Sequence, residues 1–273
     1  MNSLYRCFNN RFYPEEEAIF GLNRAMKYGD GLFESIRIID GRPKYLDFHF
    51  QRLQKGLSAL KIDFSQAKWN EIQTCLTQLV IRNEINRGGS LRLTVYRGGE
   101  GKYTPSENGL EYCIEARSLE VNQYQLNAKG LTIEISDFPL PKSRFSNFKT
   151  LNSLHYVMAS IEREEKRVDE LVLLSAAQKV IETTSSNLFL VIGNKVITPP
   201  LSEGCLGGVM RRVVISKLSS MEYTIVEGSI SLSELEQADE VFLTNASKGI
   251  QWVGSYRNKR YFNKVAKQLL PLI

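Results

Sequence analysis

Ser146-Asn147-Phe148-Lys149-Thr150-Leu151-Asn152-Ser153-Leu154 places one lysine in a stretch otherwise free of charge. Upstream, Ile133, Ile135 and Phe138 alternate as a strand does, until Pro139 and Pro141 break the pattern. Downstream, Leu154, Val157, Met158, Ile161 and Glu165 recur at helical spacing. Lys149 therefore falls where a loop feeds a helix, a common position for catalytic groups carried on a rigid scaffold. Most lysines are solvated surface residues, so the local text leaves both a surface cation and a reactive amine open.

The totals narrow the class. A length of 273 residues allows one large or two ordinary domains, and 42% hydrophobic with 24% charged residues is the composition of a globular protein with a real core. The net charge of +5 is spread along the chain without blocks. It argues weakly for nucleic acid, and better for a small anionic ligand. Cys7, Cys75, Cys113 and Cys205 have neither metal-ligand nor redox spacing, so free thiols and a reducing compartment are expected. Met1-Asn2-Ser3-Leu4-Tyr5-Arg6-Cys7 lacks the apolar run of a signal peptide, and no segment approaches a membrane span. The cytoplasm is the expected location. With only His49 and His155, and no Gly-x-Ser-x-Gly, neither a histidine-rich metal site nor a Ser-His-Asp hydrolase is expected.

Tyr28-Gly29-Asp30-Gly31 reads as a turn before an apolar strand from Leu32 to Ile39, and Asp40-Gly41 as the tight turn of a hairpin. Phe50, Leu53, Leu57 and Leu60 make one face of a helix with Asp47 as its expected cap. A second helix is expected from about Ser65 to Asn83, with Trp69, Ile72, Cys75, Leu76, Leu79 and Val80 inward. Strands around Leu91–Val95 and Tyr112–Ala116 flank the glycine-rich Arg97-Gly98-Gly99-Glu100-Gly101-Lys102-Tyr103-Thr104-Pro105. Further strands are read at 131, 170–174, 186–192, 195–198 and 240–244, with a helix from near Gly208 to Ser219. Mixed strands and helices in both halves give an α/β (α+β) class with mixed sheets. The polar stretch 118–128 divides an N-terminal domain, 1–117, from a C-terminal domain, 129–273, that carries Lys149.

Four further stretches can carry chemistry. Gly204-Cys205-Leu206-Gly207-Gly208-Val209-Met210 opens a flexible loop into a helix, whose unpaired N–H groups suit a phosphate; an ordinary loop is the plainer reading. Glu182, followed by Thr183-Thr184-Ser185-Ser186 and an apolar strand, is either a surface turn or a carboxylate poised for a protonated ring nitrogen, with hydroxyls for phosphate oxygens. Arg52 is either a solvated helix residue or a phosphate fork. Arg97 and Lys102 are either a charged turn or groups for substrate carboxylates.

Together these stretches resemble the class-IV aminotransferase family, the fold-type-IV pyridoxal phosphate enzymes. The matching segments are Tyr28-Gly29-Asp30-Gly31-Leu32-Phe33-Glu34, His49-Phe50-Gln51-Arg52-Leu53, Lys149-Thr150-Leu151-Asn152, Ile181 to Phe189, and Gly208-Val209-Met210-Arg211, in the family's order. The resemblance implies a D-amino acid aminotransferase-like fold of two domains, with pyridoxal 5'-phosphate between them, in a homodimer acting on a small anionic substrate. It implies that Lys149 bonds covalently to the cofactor aldehyde and that Glu182 pairs with the pyridine nitrogen. Arg52 and the N–H groups of Val209 and Met210 would hold the phosphate. Met210 and Ala246 stand where relatives have threonine, so Ser185, Ser186 or Asn245 would compensate. Members act on branched-chain amino acids, on D-amino acids, or on aminodeoxychorismate. The loop 97–105, Lys149-Thr150-Leu151-Asn152-Ser153-Leu154 and Leu243-Thr244-Asn245 look most like the lyase, although Lys102 replaces a lyase-like arginine. Phe33, Arg97, Lys102 and Tyr103 are the candidate substrate residues. A basic anion-binding module without catalysis is the alternative from another class.

Overall fold

The computed structural model describes residues 4–17 and 21–273. Met1–Ser3, part of the N-terminal stretch read for a leader, lie outside them, as do residues 18–20. The chain divides into two compact units, residues 1–123 with 148–152, and residues 124–147 with 153–273.

The first unit contains β1 (Tyr5–Phe8), β2 (Arg11–Pro14), α1 (Arg24–Tyr28), β3 (Gly31–Ile39), β4 (Arg42–Pro43), α2 (Leu46–Leu60), α3 (Gln66–Arg82), β5 (Gly88–Arg97) and β6 (Leu110–Leu119). Among the described residues its sheet runs β2-β1-β6-β5-β3-β4 and is antiparallel throughout. A mixed sheet was expected here. The antiparallel sense follows because β1–β2, β3–β4 and β5–β6 are hairpins of consecutive strands. The β3–β4 turn places Asp40 at φ 51° and Gly41 at φ 65°, the left-handed pair that matches strand twist.

One face of this sheet packs on α2 and α3. Leu32, Ile36 and Ile38 alternate inward from β3 and Leu91, Leu93 and Val95 from β5. They meet Leu53 and Leu57 of α2 and all six inward residues expected of α3. Ser65 caps α3 by accepting from the Lys68 N–H at 3.2 Å. Asp47 does not cap α2. Tyr45, left-handed at φ 57°, precedes the helix without a side-chain bond, and Asp47 lies inside the first turn, where its charge still faces the positive helix end.

The segment carrying Lys149 belongs to this first unit rather than to the C-terminal part expected from its place in the chain. Hydrogen bonding is the reason. The Phe33 N–H donates to the Lys149 carbonyl at 2.8 Å, and the Leu151 N–H to the Gly31 carbonyl at 3.0 Å, splicing 149–151 antiparallel to the start of β3. Asn152 Nδ2 donates to the Gly29 carbonyl at 3.1 Å, and Phe148 packs on the core.

The second unit contains β7 (Leu131–Ile135), α4 (Leu154–Lys166), β8 (Glu170–Leu174), β9 (Val180–Thr183), β10 (Asn187–Ile192), β11 (Lys195–Thr198), α5 (Val209–Leu218), β12 (Thr224–Glu227), α6 (Leu232–Gln237), β13 (Glu240–Asn245), β14 (Gly249–Tyr256), β15 (Lys259–Arg260) and α7 (Lys264–Leu269). Its sheet runs β12-β11-β10-β13-β14-β7-β8-β9, with β15 on β14. The pairs β11–β12, β14–β7 and β7–β8 are parallel, so this sheet is mixed. The strands β8, β10 and β13 are buried along nearly their whole length, as strands covered on both faces must be. The apolar face read for α4 is not its packing face. Leu154, Val157, Met158 and Ile161 are exposed, and Ala159 and Glu162 are buried instead. The period shows that the segment is a helix, but not which side meets the sheet.

Gly31 lies where β3, β5 and the Lys149 segment converge, and a Cβ there would sit 2.3 Å from the Val95 carbonyl oxygen. Gly31→Ala is expected to lower stability by about 2 kcal/mol, the scale of overpacking. Urea denaturation checks this, with Gly193→Ala as a control, since a Cβ at Gly193 meets nothing within 4 Å, although its φ of 59° carries its own strain.

Candidate active site

In the first unit, period-2 alternation places Glu34 on the core-facing side of β3 between Leu32 and Ile36, so a carboxylate is buried among apolar residues at 2% exposure. Two side chains of α2 answer it. His49 Nδ1 lies 2.6 Å from Oε2, and Arg52 donates from Nε to Oε1 at 2.9 Å and from its terminal nitrogen to Oε2. Burial by itself pushes the Glu34 carboxyl up, but the Arg52 charge and the His49 hydrogen bond outweigh it and bring the group down to about 2. An ionised carboxylate only accepts, so His49 carries its proton on Nδ1; its buried Nε2 has no hydrogen-bond partner. Arg52 is thus not a solvated helix residue. Its guanidinium is oriented by a buried counter-charge.

The lysine amine lies against an aromatic ring. Lys149 is half-buried, with Nζ 4.5 Å from the centre of the Phe33 ring, and the Arg92 guanidinium approaches the same ring at 4.0 Å. The structure therefore brings Phe33 and Lys149 together.

Arg97 does not act as expected. It is 7% exposed, and all five of its N–H groups are engaged: by both carboxylate oxygens of Asp30, the carbonyls of Leu60 and Lys61, and Asn108 Oδ1. It has no N–H left for a substrate carboxylate, so its role corrects to holding the root of the glycine-rich loop. Arg24, which sequence reading missed, holds the rest. Its Nε donates to Asp30 at 2.9 Å and its terminal nitrogen to the carbonyls of Glu100, Gly101 and Lys102 at 3.3, 3.1 and 2.8 Å. Lys102 and Tyr103 are exposed on this clamped loop, with the Tyr103 ring 5.8 Å from that of Tyr28.

In the second unit, Glu182 lies in β9 at 2% exposure, with donors on both oxygens. The Tyr156 hydroxyl donates to Oε1 at 2.6 Å, and the Leu206 N–H to Oε2 at 2.9 Å, with Asn187 Nδ2 at 3.4 Å. Asn187 also donates to the Leu206 carbonyl at 2.8 Å, and the Gly207 N–H donates to the Asn147 carbonyl at 3.0 Å. This ties the carboxylate to the loop that starts α5. Gly208 precedes α5 without a side-chain cap, and a Cβ on it would lie 1.9 Å from Asn187 Oδ1. The helix start thus presents bare backbone N–H groups at Val209 and Met210 to an anion. The Met210 side chain is fully buried.

The residues expected to replace the missing threonines are engaged elsewhere. Ser185 Oγ donates to Glu170 at 2.7 Å. Ser186 Oγ accepts from Asn245 Nδ2 at 2.9 Å, and Asn245 Oδ1 accepts from the N–H groups of Ser247 and Lys248. The structure offers another hydroxyl. Thr244, opposite Asn187 in the β10–β13 register, is 1% exposed and its Oγ1 has no hydrogen-bond partner. Its signal in the sequence was its place in Leu243-Thr244-Asn245. Tyr156 carried none, because helix spacing does not show which residue of α4 reaches β9.

No group of metal-ligating side chains occurs among the described residues, and none of their helices is long and apolar enough to cross a membrane.

The chain matches the family model for amino-transferase class IV over residues 31–256. A provisionally named branched-chain-amino-acid aminotransferase of Methanocaldococcus jannaschii is 30% identical over 269 residues, covering 96% of this chain and 92% of that one. The aminodeoxychorismate lyase of Vibrio harveyi is 28% identical over 231 residues, 84% of this chain and 83% of the lyase. In fold, the chain superposes on the branched-chain aminotransferase of Thermoproteus uzoniensis with a TM-score of 0.88 at 24% identity, over 97% of this chain and 93% of that one.

Glu34→Gln is expected to cost about 3–5 kcal/mol, because it leaves the Arg52 charge buried without its partner. The wild-type contribution is present above the ordinary carboxyl value of 4.5 and is lost as pH falls toward about 2. The stability difference between wild type and Glu34→Gln, followed by chemical denaturation, should therefore shrink below pH 4.5.

Proposed function

The chain belongs to the class IV aminotransferase family and is a pyridoxal phosphate enzyme, a lyase or a transaminase, and on that premise we propose that it cleaves aminodeoxychorismate to 4-aminobenzoate and pyruvate. Family membership sets aside the non-catalytic binding module. The observation that carries the lyase reading is the clamped loop 97–105. Arg24 fixes three of its carbonyls, Lys102 is an exposed cation on it, and the Tyr103 ring lies 5.8 Å from that of Tyr28. A ring substrate bearing carboxylates suits that chemistry. Transamination is the second reading, supported by the extent of similarity to the archaeal branched-chain relative.

The residues present fit the cofactor. The uncapped start of α5 and the orphaned Thr244 hydroxyl suit its phosphate, and the buried Glu182 carboxylate suits a protonated ring nitrogen. Bound, the cofactor supplies an electron sink for the bonds beside the substrate nitrogen. Lys149 would hold its aldehyde through Nζ. Glu182 would keep the ring nitrogen protonated by charge and hydrogen bond. Arg52, already oriented by Glu34, and the Val209 and Met210 N–H groups would hold phosphate oxygens. Ser185, Ser186 and Asn245 brace the strand ends around them. With the cofactor bound, the Lys149 amine would take the proton from the substrate carbon, a ring carbon in the lyase or Cα in a transaminase. Positioned proton transfer of this kind typically contributes about 10²–10⁴-fold. Self-association as a homodimer belongs to the same reading, supported by the exposed apolar stripe of α4, and light scattering of the eluted protein tests it.

Purified protein given aminodeoxychorismate is expected to release pyruvate and 4-aminobenzoate in equal amounts. Amino-group transfer to 2-oxoglutarate without pyruvate release would replace the lyase by the transaminase. Lys149→Ala is expected to abolish the visible absorbance of the covalently held cofactor and to lower turnover at least about 10²-fold. A pyridoxyl adduct on the Lys149 peptide after borohydride reduction, detected by mass spectrometry, checks the attachment.

A further inference from the structure

We propose that Tyr156 is a positioning residue, which holds the Glu182 carboxylate in the orientation that receives the cofactor's ring nitrogen. The proposal rests on the reading of Glu182 given above and adds the device by which that carboxylate is aimed.

The geometry is local to the second unit. Glu182 is fixed by backbone pairing on β9, but its carboxylate can still turn about its last side-chain torsion, which is broad and shallow. On one oxygen the Leu206 N–H lies at 2.9 Å and Asn187 Nδ2 at a weak 3.4 Å. On the other the Tyr156 hydroxyl lies at 2.6 Å, the short distance of an O–H donating to an ionised acceptor. One donor on each oxygen fixes the carboxylate plane, whereas donors on one oxygen alone leave it free to rotate. The hydroxyl is suited to be a permanent donor. Burial pushes Tyr156 well above the ordinary phenol value, and the Glu182 charge pushes it further the same way, so it keeps its proton throughout the working range. Cys205, from the loop before α5, is another titratable group that faces Glu182. Burial, then the same charge, raises its thiol to about 12, so it too stays neutral. Tyr156 lies on the inward side of α4 with Ala159 and Glu162. The helix exposes Val157, Met158 and Ile161 but turns this polar side chain inward to reach β9.

The test is a binding cycle on the cofactor-free full-length protein. Tyr156→Phe removes one oxygen and keeps the ring, so circular dichroism is expected to match wild type. Dissociation constants are measured for wild type, Tyr156→Phe, Glu182→Gln and the double variant. Two ligands are used: pyridoxal phosphate, and an analogue with the same aldehyde and phosphate whose ring nitrogen is replaced by carbon. Tyr156→Phe is expected to weaken pyridoxal phosphate about tenfold, the worth of a hydrogen bond to a charged group. It should leave the analogue unchanged and have no further effect once Glu182 is Gln. In the loaded enzyme, kcat should fall while the KM for the amine substrate holds.

Equal weakening of both ligands, or the same loss with and without Glu182, would show that the tyrosine only packs. No loss at all would show that the carboxylate needs no second donor. If Glu182→Gln itself fails to weaken pyridoxal phosphate relative to the analogue, the role given to Glu182 is wrong and the proposal goes with it. A Glu182 effect without a Tyr156 effect removes the proposal alone.

Discussion

The antiparallel splice of residues 149–151 onto the first residues of β3 is the constraint on which the amine's placement depends. Two backbone hydrogen bonds, at 2.8 and 3.0 Å, attach a short loop segment to a nine-residue strand, and the strand is paired along most of its length with β5. A lysine on a free loop would sample many positions. A lysine whose own carbonyl is bonded to β3 has a fixed Cα, and only its side chain remains to be placed. The Phe33 ring, which follows the splice in β3, then confines the amine. Backbone rigidity of this kind is what a positioned proton transfer requires.

The two buried glutamates are stabilised by different means. Glu34 is held by cation and imidazole, and the result is a carboxyl lowered to about 2 and an arginine with one orientation. Glu182 has neutral donors on both oxygens, from a hydroxyl and a backbone N–H. The first arrangement uses the carboxylate to aim a cation. The second orients the carboxylate itself, through donors on both of its oxygens. The loop after Glu203 serves both the carboxylate and the start of α5, since Leu206 bonds Glu182 while Gly208 leaves room beside Asn187.

Much of this was legible in the chain. The six inward residues of α3, its serine cap and the Asp40-Gly41 turn follow from period and turn chemistry, which are local. The ordered motifs around Gly31, Arg52, Lys149, Glu182 and Gly208 marked the stretches that matter. The misreadings share one cause. Asp47 as a cap failed because the helix begins after Tyr45, left-handed two residues earlier. The α4 stripe was correct as a period and did not show its direction. Arg97 looked like a substrate ligand because its sequence neighbours are glycines, while the Asp30, Leu60, Lys61 and Asn108 groups that occupy it lie up to 67 residues away.

By itself the sequence determined the types of the elements it marked, the family and which residues are chemically unusual, because periodicity, turn chemistry and motif order are properties of neighbours along the chain. Tertiary structure alone decided that 148–152 joins the first unit, that Arg24 clamps the glycine-rich loop, that Thr244 keeps an unpartnered hydroxyl, and that Tyr156 is the residue of its helix to reach Glu182. Each of those depends on groups tens of residues apart competing for the same donors and acceptors. A hydrogen bond is set by distance in space, and no pattern of adjacent residues encodes it.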